Sequence, residues 1–113
     1  IPVQIGGTSY VPPLPIETVV IERIDEIRGQ DKEPIEIAIE LCMYCMKTQV
    51  FKDGNKRASV IFANHYLIAQ GMGFLVIPEK DVPEFKKLLV QYYEGEPLEV
   101  IGAFLKERCW KNF

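Results

Sequence analysis

The sequence has no long apolar run and no excess of positive charge. No stretch reaches the roughly 20 apolar residues that a membrane-spanning helix needs, and no segment has the pattern of a signal peptide. The net charge is −3, whereas general nucleic-acid binders are usually basic. We therefore expect a cytoplasmic protein that binds neither membranes nor nucleic acids. Because the chain opens on IPVQIGG without methionine, we also expect a domain cut from a longer protein.

Cysteines are few, and their number is odd. Cys42 and Cys45 form a C-x-x-C inside an apolar stretch that contains no turn residue, and Cys109 lies far along the chain. A zinc site would need four ligands, and His65 is the only histidine available. We favour free thiols buried in the core of a protein from a reducing compartment. A metal or redox role is the alternative.

The first fifteen residues predict a β-hairpin. Val3 and Ile5 alternate with polar Gln4, and Gly6–Gly7 supplies a turn. Three prolines then prevent a helix from starting before residue 14 or so.

The rest of the chain predicts five helices and no repeat. Apolar periodicity places them at residues 16–28, 33–48, 56–70, 81–95 and 96–110, with a short extended segment at 73–78. Asp81 is expected to cap the fourth helix and Gly95 to end it. Since 113 residues suit one compact domain, we predict a single all-α domain over 1–113, with a hairpin at 1–15 and a helical core at 16–113.

A polar turn, TQVFKDGNKRAS at residues 48–59, separates two apolar helices. The first backbone N–H groups of a helix lack internal partners and carry the positive end of its dipole, so they attract anions. Gly54 allows close approach of a ligand, while Lys56 and Arg57 add positive charge. Asp53 beside bound phosphate can hold Mg²⁺. Phe51 would anchor the turn in the core.

A simpler interpretation of the same turn stays open. Asp53 or Asn55 would cap an ordinary helix, and the two cations would be solvated. The stretch is not a Walker loop, because G-x-x-x-x-G-K-[ST] is absent. It is not an EF-hand either, because the alternating acids and the closing glutamate are missing.

The motif resembles that of the Fic/Doc family, H-P-F-x-x-G-N-G-R-x-x-R, which this chain matches with QVFKDGNKRASV at residues 49–60. IGGTSYVPPLP is similar to the flap hairpin of that family, and YYEGEPLEVIGAFLKE is similar to its closing helices. The resemblance covers nearly the whole chain. It implies an all-α bundle of the Fic type (the Fido fold) with an N-terminal β-hairpin flap.

The resemblance also implies an activity. Family members transfer part of a nucleotide, most often AMP from ATP, to a Ser, Thr or Tyr hydroxyl of a target protein. It implies ATP or another nucleotide and Mg²⁺ as cofactors, with Asp53 as the Mg²⁺ ligand. Gly54, Asn55 and Lys56 would form the anion-binding turn, and Arg57 would contact phosphates. The flap residues that would align the target protein are Gln4, Ile5, Gly6, Gly7 and Thr8.

Three departures from the family pattern bear on that activity. Gln49 stands at the position of the catalytic histidine, and an amide cannot accept a proton near neutral pH. Lys56 replaces the second glycine, as in the death-on-curing branch that phosphorylates its target, so either AMP or phosphate transfer is implied. Val60 replaces the second arginine, which removes one phosphate contact. His65, two turns into the next helix, is expected to be partly buried and not to act as a substitute base.

Three functions follow from these residues. The chain is either a Fic-type transferase weakened by loss of its base, a degenerate member that binds nucleotide or a partner, or a plain helical interaction domain. The inhibitory motif of the family, [ST]-x-x-x-E-[GN], is matched only by Glu94 and Gly95, because Val90 stands at the Ser/Thr position. We take that match as chance. An inhibitory helix could lie upstream or on an antitoxin-like partner.

Overall fold

The computed structural model describes residues 17–48 and 54–111. The predicted hairpin at residues 1–15 lies outside these ranges. Within them the fold is mostly helical, with α1 at Glu17–Arg28, α2 at Pro34–Thr48, α3 at Asn55–Ala69, α4 at Val82–Tyr93 and α5 at Leu98–Phe104. A 3₁₀ turn, Glu79–Asp81, precedes α4, and a π-helical turn, Leu105–Cys109, follows α5. In the described part of the chain, no helix is both long and apolar enough to span a membrane.

The central helix is α2, which packs against α1, α3 and α5. Its sequence is apolar on nearly every side, so it is stable only when surrounded by other helices. Pro34 is tolerated in its first turn because the N–H that proline lacks would have no helical partner there. The residues of α2 that are buried are Ile35, Ile37, Ala38, Ile39, Leu41, Cys42, Met43, Cys45 and Met46.

The buried face of α3 has small side chains at its middle, Ser59 and Ala63. Asn55, Ser59, Ala63 and Leu67 recur every four residues and are all buried against the rest of the bundle. Small residues at this spacing allow the α2 and α3 backbones to approach closely, and this helix pair has the most extensive contact in the described structure. Of the larger apolar residues of α3, Leu67 is buried on this face, whereas Ile61 and Ile68 are exposed.

A two-stranded antiparallel sheet closes the fold. The extended segment predicted at 73–78 contains its first strand, but the pairing with the end of the chain was not predicted. Strand β1, Phe74–Leu75, pairs with β2, Trp110–Lys111, with Leu75 opposite Trp110. The fifth helix was predicted to continue through Trp110, and that prediction is wrong. The chain instead widens into the π-helical turn and becomes extended at Trp110, whose indole Nε1 donates to the Met72 carbonyl at 2.7 Å.

Asp81 occupies the expected position before α4 but does not cap it. Its carboxylate makes no hydrogen bond to the first turn of the helix. It is buried and accepts a hydrogen bond from Arg108 Nη1 at 3.3 Å, which ties the start of α4 to the π-helical turn. The other end of α4 is as predicted, since Glu94 N–H bonds to the Val90 carbonyl and Gly95 follows with φ of 113°.

Candidate functional site

The polar turn connects the C-terminus of α2 to the N-terminus of α3. Helix α2 ends at Thr48, whose Oγ1 donates to the Tyr44 carbonyl at 2.7 Å. Helix α3 begins at Asn55. Of the predicted site residues, Gln49 and Asp53 lie outside the described ranges, as do the flap residues. The structure therefore places the second half of the site, from Gly54 onward.

Gly54 turns the chain into α3 through a left-handed conformation, with φ of 58° and ψ of 39°. Side chains rarely adopt this conformation, which costs roughly 1 kcal/mol or more for a non-glycine residue. Among the described residues, a Cβ added at Gly54 would meet nothing within 4 Å, so the glycine is needed there for its backbone angles. Its carbonyl accepts the Ala58 N–H at 2.8 Å, the first bond of the helix.

The side chain of Asn55 fixes the polar turn to the end of α2. Its side chain is 8% exposed, and Nδ2 donates to the Met46 carbonyl at 3.1 Å. Met46 lies in the last turn of α2, where carbonyl groups have no partner within the helix. The bond therefore joins the end of α2 to the start of α3. The side chain of Asn55 is directed at the protein, so its contribution to anion binding would come from the backbone.

Lys56 and Arg57 both lie in the first turn of α3 and are exposed. Helix α3 contains no acidic residue, so no carboxylate of its own neutralises them. Two cations and the positive end of the helix dipole thus coincide at one place on the surface. This arrangement suits a phosphate group, and Arg57 offers the planar fork that binds two phosphate oxygens.

Val60, one turn further along α3, cannot take part in anion binding. It is half-buried and packs against the main core, which includes Met46 and Tyr93. The arginine position of the family motif is therefore occupied by a side chain that stabilises the bundle.

A contact that the sequence did not indicate lies next to the turn. Lys47 precedes Thr48 at the end of α2, and its ammonium group lies 5.0 Å from the centre of the Tyr92 ring. Cation–π contacts of this length contribute on the order of 0.5–1 kcal/mol at partly exposed sites. The contact joins α2 to the end of α4. The basic last turn of α2 and the tyrosine pair before Gly95 were visible in the sequence, but their pairing depends on tertiary structure.

His65 is exposed, so the expectation of a partly buried histidine is wrong. It lies ten residues after Asn55, which corresponds to about 15 Å along the helix axis. At that distance it cannot serve as a base at the turn, as expected. It lines a cavity of about 280 Å³ together with Arg28, Leu41, Phe62, Tyr66, Ala69 and Gln70.

The three cysteines are free and buried, which confirms the prediction of core thiols. Burial raises the pKa of Cys45 and of Cys109 to about 11, and it raises the pKa of Cys42 further, with smaller contributions from the two neighbouring thiols. Thiols with raised pKa values are poor nucleophiles at neutral pH. Across the described ranges, no group of three or more His, Cys, Asp or Glu side chains is arranged to hold a metal ion.

Comparison with known proteins gives one match. The family model described as "Fic/DOC family" matches residues 2–67, which is more than half of the chain and includes the whole polar turn. No curated protein and no solved structure matches the chain.

Proposed function

Since the chain belongs to the Fic/DOC family, we propose that it binds a Mg²⁺-nucleotide at the start of α3 and transfers part of it to a protein hydroxyl. The transferred group is AMP or the terminal phosphate, and the acceptor is a Ser, Thr or Tyr side chain. One observation carries the proposal. Left-handed Gly54 leads directly into the first turn of α3, where Lys56 and Arg57 are exposed.

Each residue of the turn has a distinct role in this proposal. The first N–H groups of α3 bind phosphate oxygens, and Lys56 and Arg57 neutralise their charge. Asn55 keeps these groups in position through its bond to Met46. Asp53, assigned from the sequence motif alone, would ligate Mg²⁺.

The bound nucleotide supplies the electrophilic phosphorus. In AMP transfer the acceptor oxygen bonds to the α-phosphorus and pyrophosphate leaves. In phosphate transfer the acceptor oxygen bonds to the γ-phosphorus and ADP leaves. In both reactions the acceptor hydroxyl loses its proton, and Gln49 can orient that hydroxyl but cannot take the proton. A positioned base typically contributes ~10²–10⁴-fold to the rate, so we expect turnover to be slower by that order.

The target protein and any inhibitor belong to the same proposal. Residues 4–8 would align an extended target segment by main-chain hydrogen bonds, which demand little of its sequence. An inhibitory helix, from the same protein or from an antitoxin-like partner, would block the site. Both ideas rest on the family resemblance, because residues 4–8 lie outside the described ranges.

Gln49 also favours a second function. If no other group accepts the proton, the domain binds nucleotide or a protein partner and performs no transfer. The phosphate-binding turn is common to both functions. A plain interaction domain, in which the turn only begins a helix, would bind no nucleotide.

Calorimetry with Mg²⁺-ATP tests the phosphate site. We expect heat of binding for the unmodified domain and at least tenfold weaker binding for Arg57→Ala, because a charge-assisted contact contributes roughly 1.5–3 kcal/mol. Arg28→Ala is the matched control, since Arg28 is also an exposed arginine but ends α1. It should bind as the unmodified domain does. Equal affinities for all three proteins, or no heat with any of them, would refute the phosphate site.

A further inference from the structure

Helix α3 presents an apolar stripe to solvent. Its buried residues, Asn55 to Leu67 at four-residue spacing, define one side of the helix. At 3.6 residues per turn, Ile61 and Ile68 lie on the opposite side, two turns apart. They are 55% and 51% exposed. Single exposed apolar residues are ordinary, but here two isoleucines of one helix share its outward side.

Another exposed apolar residue lies on the segment that Asn64 holds beside α3. Asn64 lies between the two isoleucines along the helix and holds both backbone groups of Leu75. Its Nδ2 donates to the Leu75 carbonyl at 2.9 Å, and its Oδ1 accepts the Leu75 N–H at 2.6 Å. Val76, the next residue, is 43% exposed. We call the surface formed by Ile61, Ile68 and Val76 the outer face of α3.

Basic side chains adjoin the outer face, although the chain as a whole is acidic. The sequence contains 16 acidic and 13 basic residues, yet none of the acidic ones lies in α3. Arg57 lies at the N-terminal end of the stripe. On its other flank is the cavity of about 280 Å³, whose described lining includes Arg28 and His65 but no carboxylate. The outer face thus combines apolar side chains with hydrogen-bond donors and positive charge.

From this combination we propose that the outer face of α3 binds a helical segment of another protein that carries an apolar stripe flanked by carboxylates. The apolar side chains of the segment pack beside Ile61 and Ile68, as the ridges of one helix pack into the grooves of another. Its carboxylates accept hydrogen bonds from Arg28. Such a segment is matched in both polarity and charge, which a basic or purely apolar segment is not. The inference does not depend on the proposed transferase activity.

A pair of labelled peptides tests this surface on the full chain. Both are 18-residue amphipathic helices with leucine at three- and four-residue spacing, and they differ in having glutamate or lysine on the flanks. In fluorescence anisotropy at physiological salt, we expect the glutamate peptide to bind at least tenfold more tightly than the lysine peptide. We expect the Ile61→Gln/Ile68→Gln variant to weaken its binding at least tenfold.

Matched variants distinguish binding at this surface from nonspecific binding to exposed apolar residues. Val19 and Ile21 on α1 are exposed to the same extents, 55% and 51%. Val19→Gln/Ile21→Gln should therefore leave peptide binding unchanged. Arg28→Gln should weaken peptide binding. Lys87→Gln removes the same charge from an exposed position on α4 and should leave peptide binding unchanged. Circular dichroism verifies that each variant is folded, as expected for exposed positions.

Several results would overturn the proposal. They are the absence of binding to the unmodified chain, equal binding of the two peptides, and equal loss in the α1 and α3 variants. Sedimentation velocity could give a further result that overturns the proposal. Concentration-dependent dimers that disappear in Ile61→Gln/Ile68→Gln would assign the outer face to a second copy of this chain.

Discussion

At the scale of single residues, Gly54 and Asn55 shape the turn in different ways. Gly54 contributes backbone angles that other residues rarely adopt, and Asn55 contributes an amide that binds Met46. Both tasks are structural, so both residues would be needed in a domain that binds nucleotide without transferring any part of it. The glycine and asparagine of the motif thus do not distinguish the catalytic function from the degenerate one. The residue that does is Gln49.

The first prediction therefore concerns Gln49. Gln49→His places an imidazole, which is basic near neutral pH, where the family has its catalytic histidine. If the site is otherwise intact, we expect transfer to protein to rise by ~10²–10⁴-fold. Label from α-³²P-ATP reports AMP transfer, and label from γ-³²P-ATP reports phosphorylation. Gln49→Asn is the control, because it changes the side chain without adding a base. Rapid transfer by the unmodified domain, with no gain in the histidine variant, would show that Gln49 is not a missing base.

At the scale of elements, α3 is held at two points by asparagine amides. Asn55 fixes its first residue to α2, and Asn64 fixes its middle to β1. The outward side of α3 contributes little to the core, so these bonds and the small buried residues set the position of the helix. Because the candidate site is the first turn of α3, its geometry depends on them.

At this scale we predict that removing the Asn64 amide destabilises the fold. Asn64→Ala leaves both backbone groups of Leu75 without their partner, and each unsatisfied buried group costs about 1–3 kcal/mol. We expect the free energy of unfolding to fall by at least that amount. Asn64→Asp should also be destabilising, since a carboxylate accepts the Leu75 N–H but cannot donate to its carbonyl. Urea unfolding gives the measurement, and Gln70→Ala at an exposed position is the control. A change in Asn64→Ala no larger than the control would contradict this role.

The elements also show how far the sequence could predict the structure. The bounds of α1, α2 and α3 followed from local signals such as Pro34 and the apolar periodicity, and the polar turn was correctly placed between α2 and α3. The end of the chain was not predicted, because Trp110 leaves the helix to pair with Leu75 and to donate to Met72, residues far away in the sequence. The contacts of Asn55 and Lys47 were missed for the same reason.

At the scale of the whole molecule, the cysteines join the middle of the chain to its end. Cys42 and Cys109 both belong to the main core, and Cys45 is fully buried near them on α2. Both Cys45 and Cys109 contribute to the raised pKa of Cys42, so both thiols lie near it in the fold. Their accessibility therefore reports on the integrity of the entire bundle.

Thiol reactivity should follow global unfolding. At pH 8 we expect the native domain to react only slowly with Ellman's reagent, because the three thiols are buried and protonated. All three should react promptly in guanidinium chloride. Rapid reaction of even one thiol in the native domain would indicate local opening of the core.

The raised pKa values also predict how stability depends on pH. In the unfolded chain a thiol has its ordinary pKa near 9.0, whereas burial raises the pKa of Cys45 and Cys109 to about 11 in the folded protein. Between these values the folded state binds more protons, so the free energy of unfolding falls as the pH rises. The stabilisation that the protonated thiols of Cys45 and Cys109 give the folded state is fully present below about pH 9 and is lost as the pH rises through 11.

Urea unfolding between pH 8 and 11 tests this dependence, with a Cys42→Ala/Cys45→Ala/Cys109→Ala variant as the control. The variant loses stability at every pH, because it leaves space in the core. The informative quantity is the slope of the free energy of unfolding plotted against pH. Other groups also ionise in this range, among them Tyr44, whose pKa is raised mainly by burial and to a smaller extent by Cys45, and the burial acts in both proteins. The unmodified domain should therefore lose stability more steeply above pH 9 than the variant does. Equal slopes would mean that the thiols are not held in their protonated form by the fold.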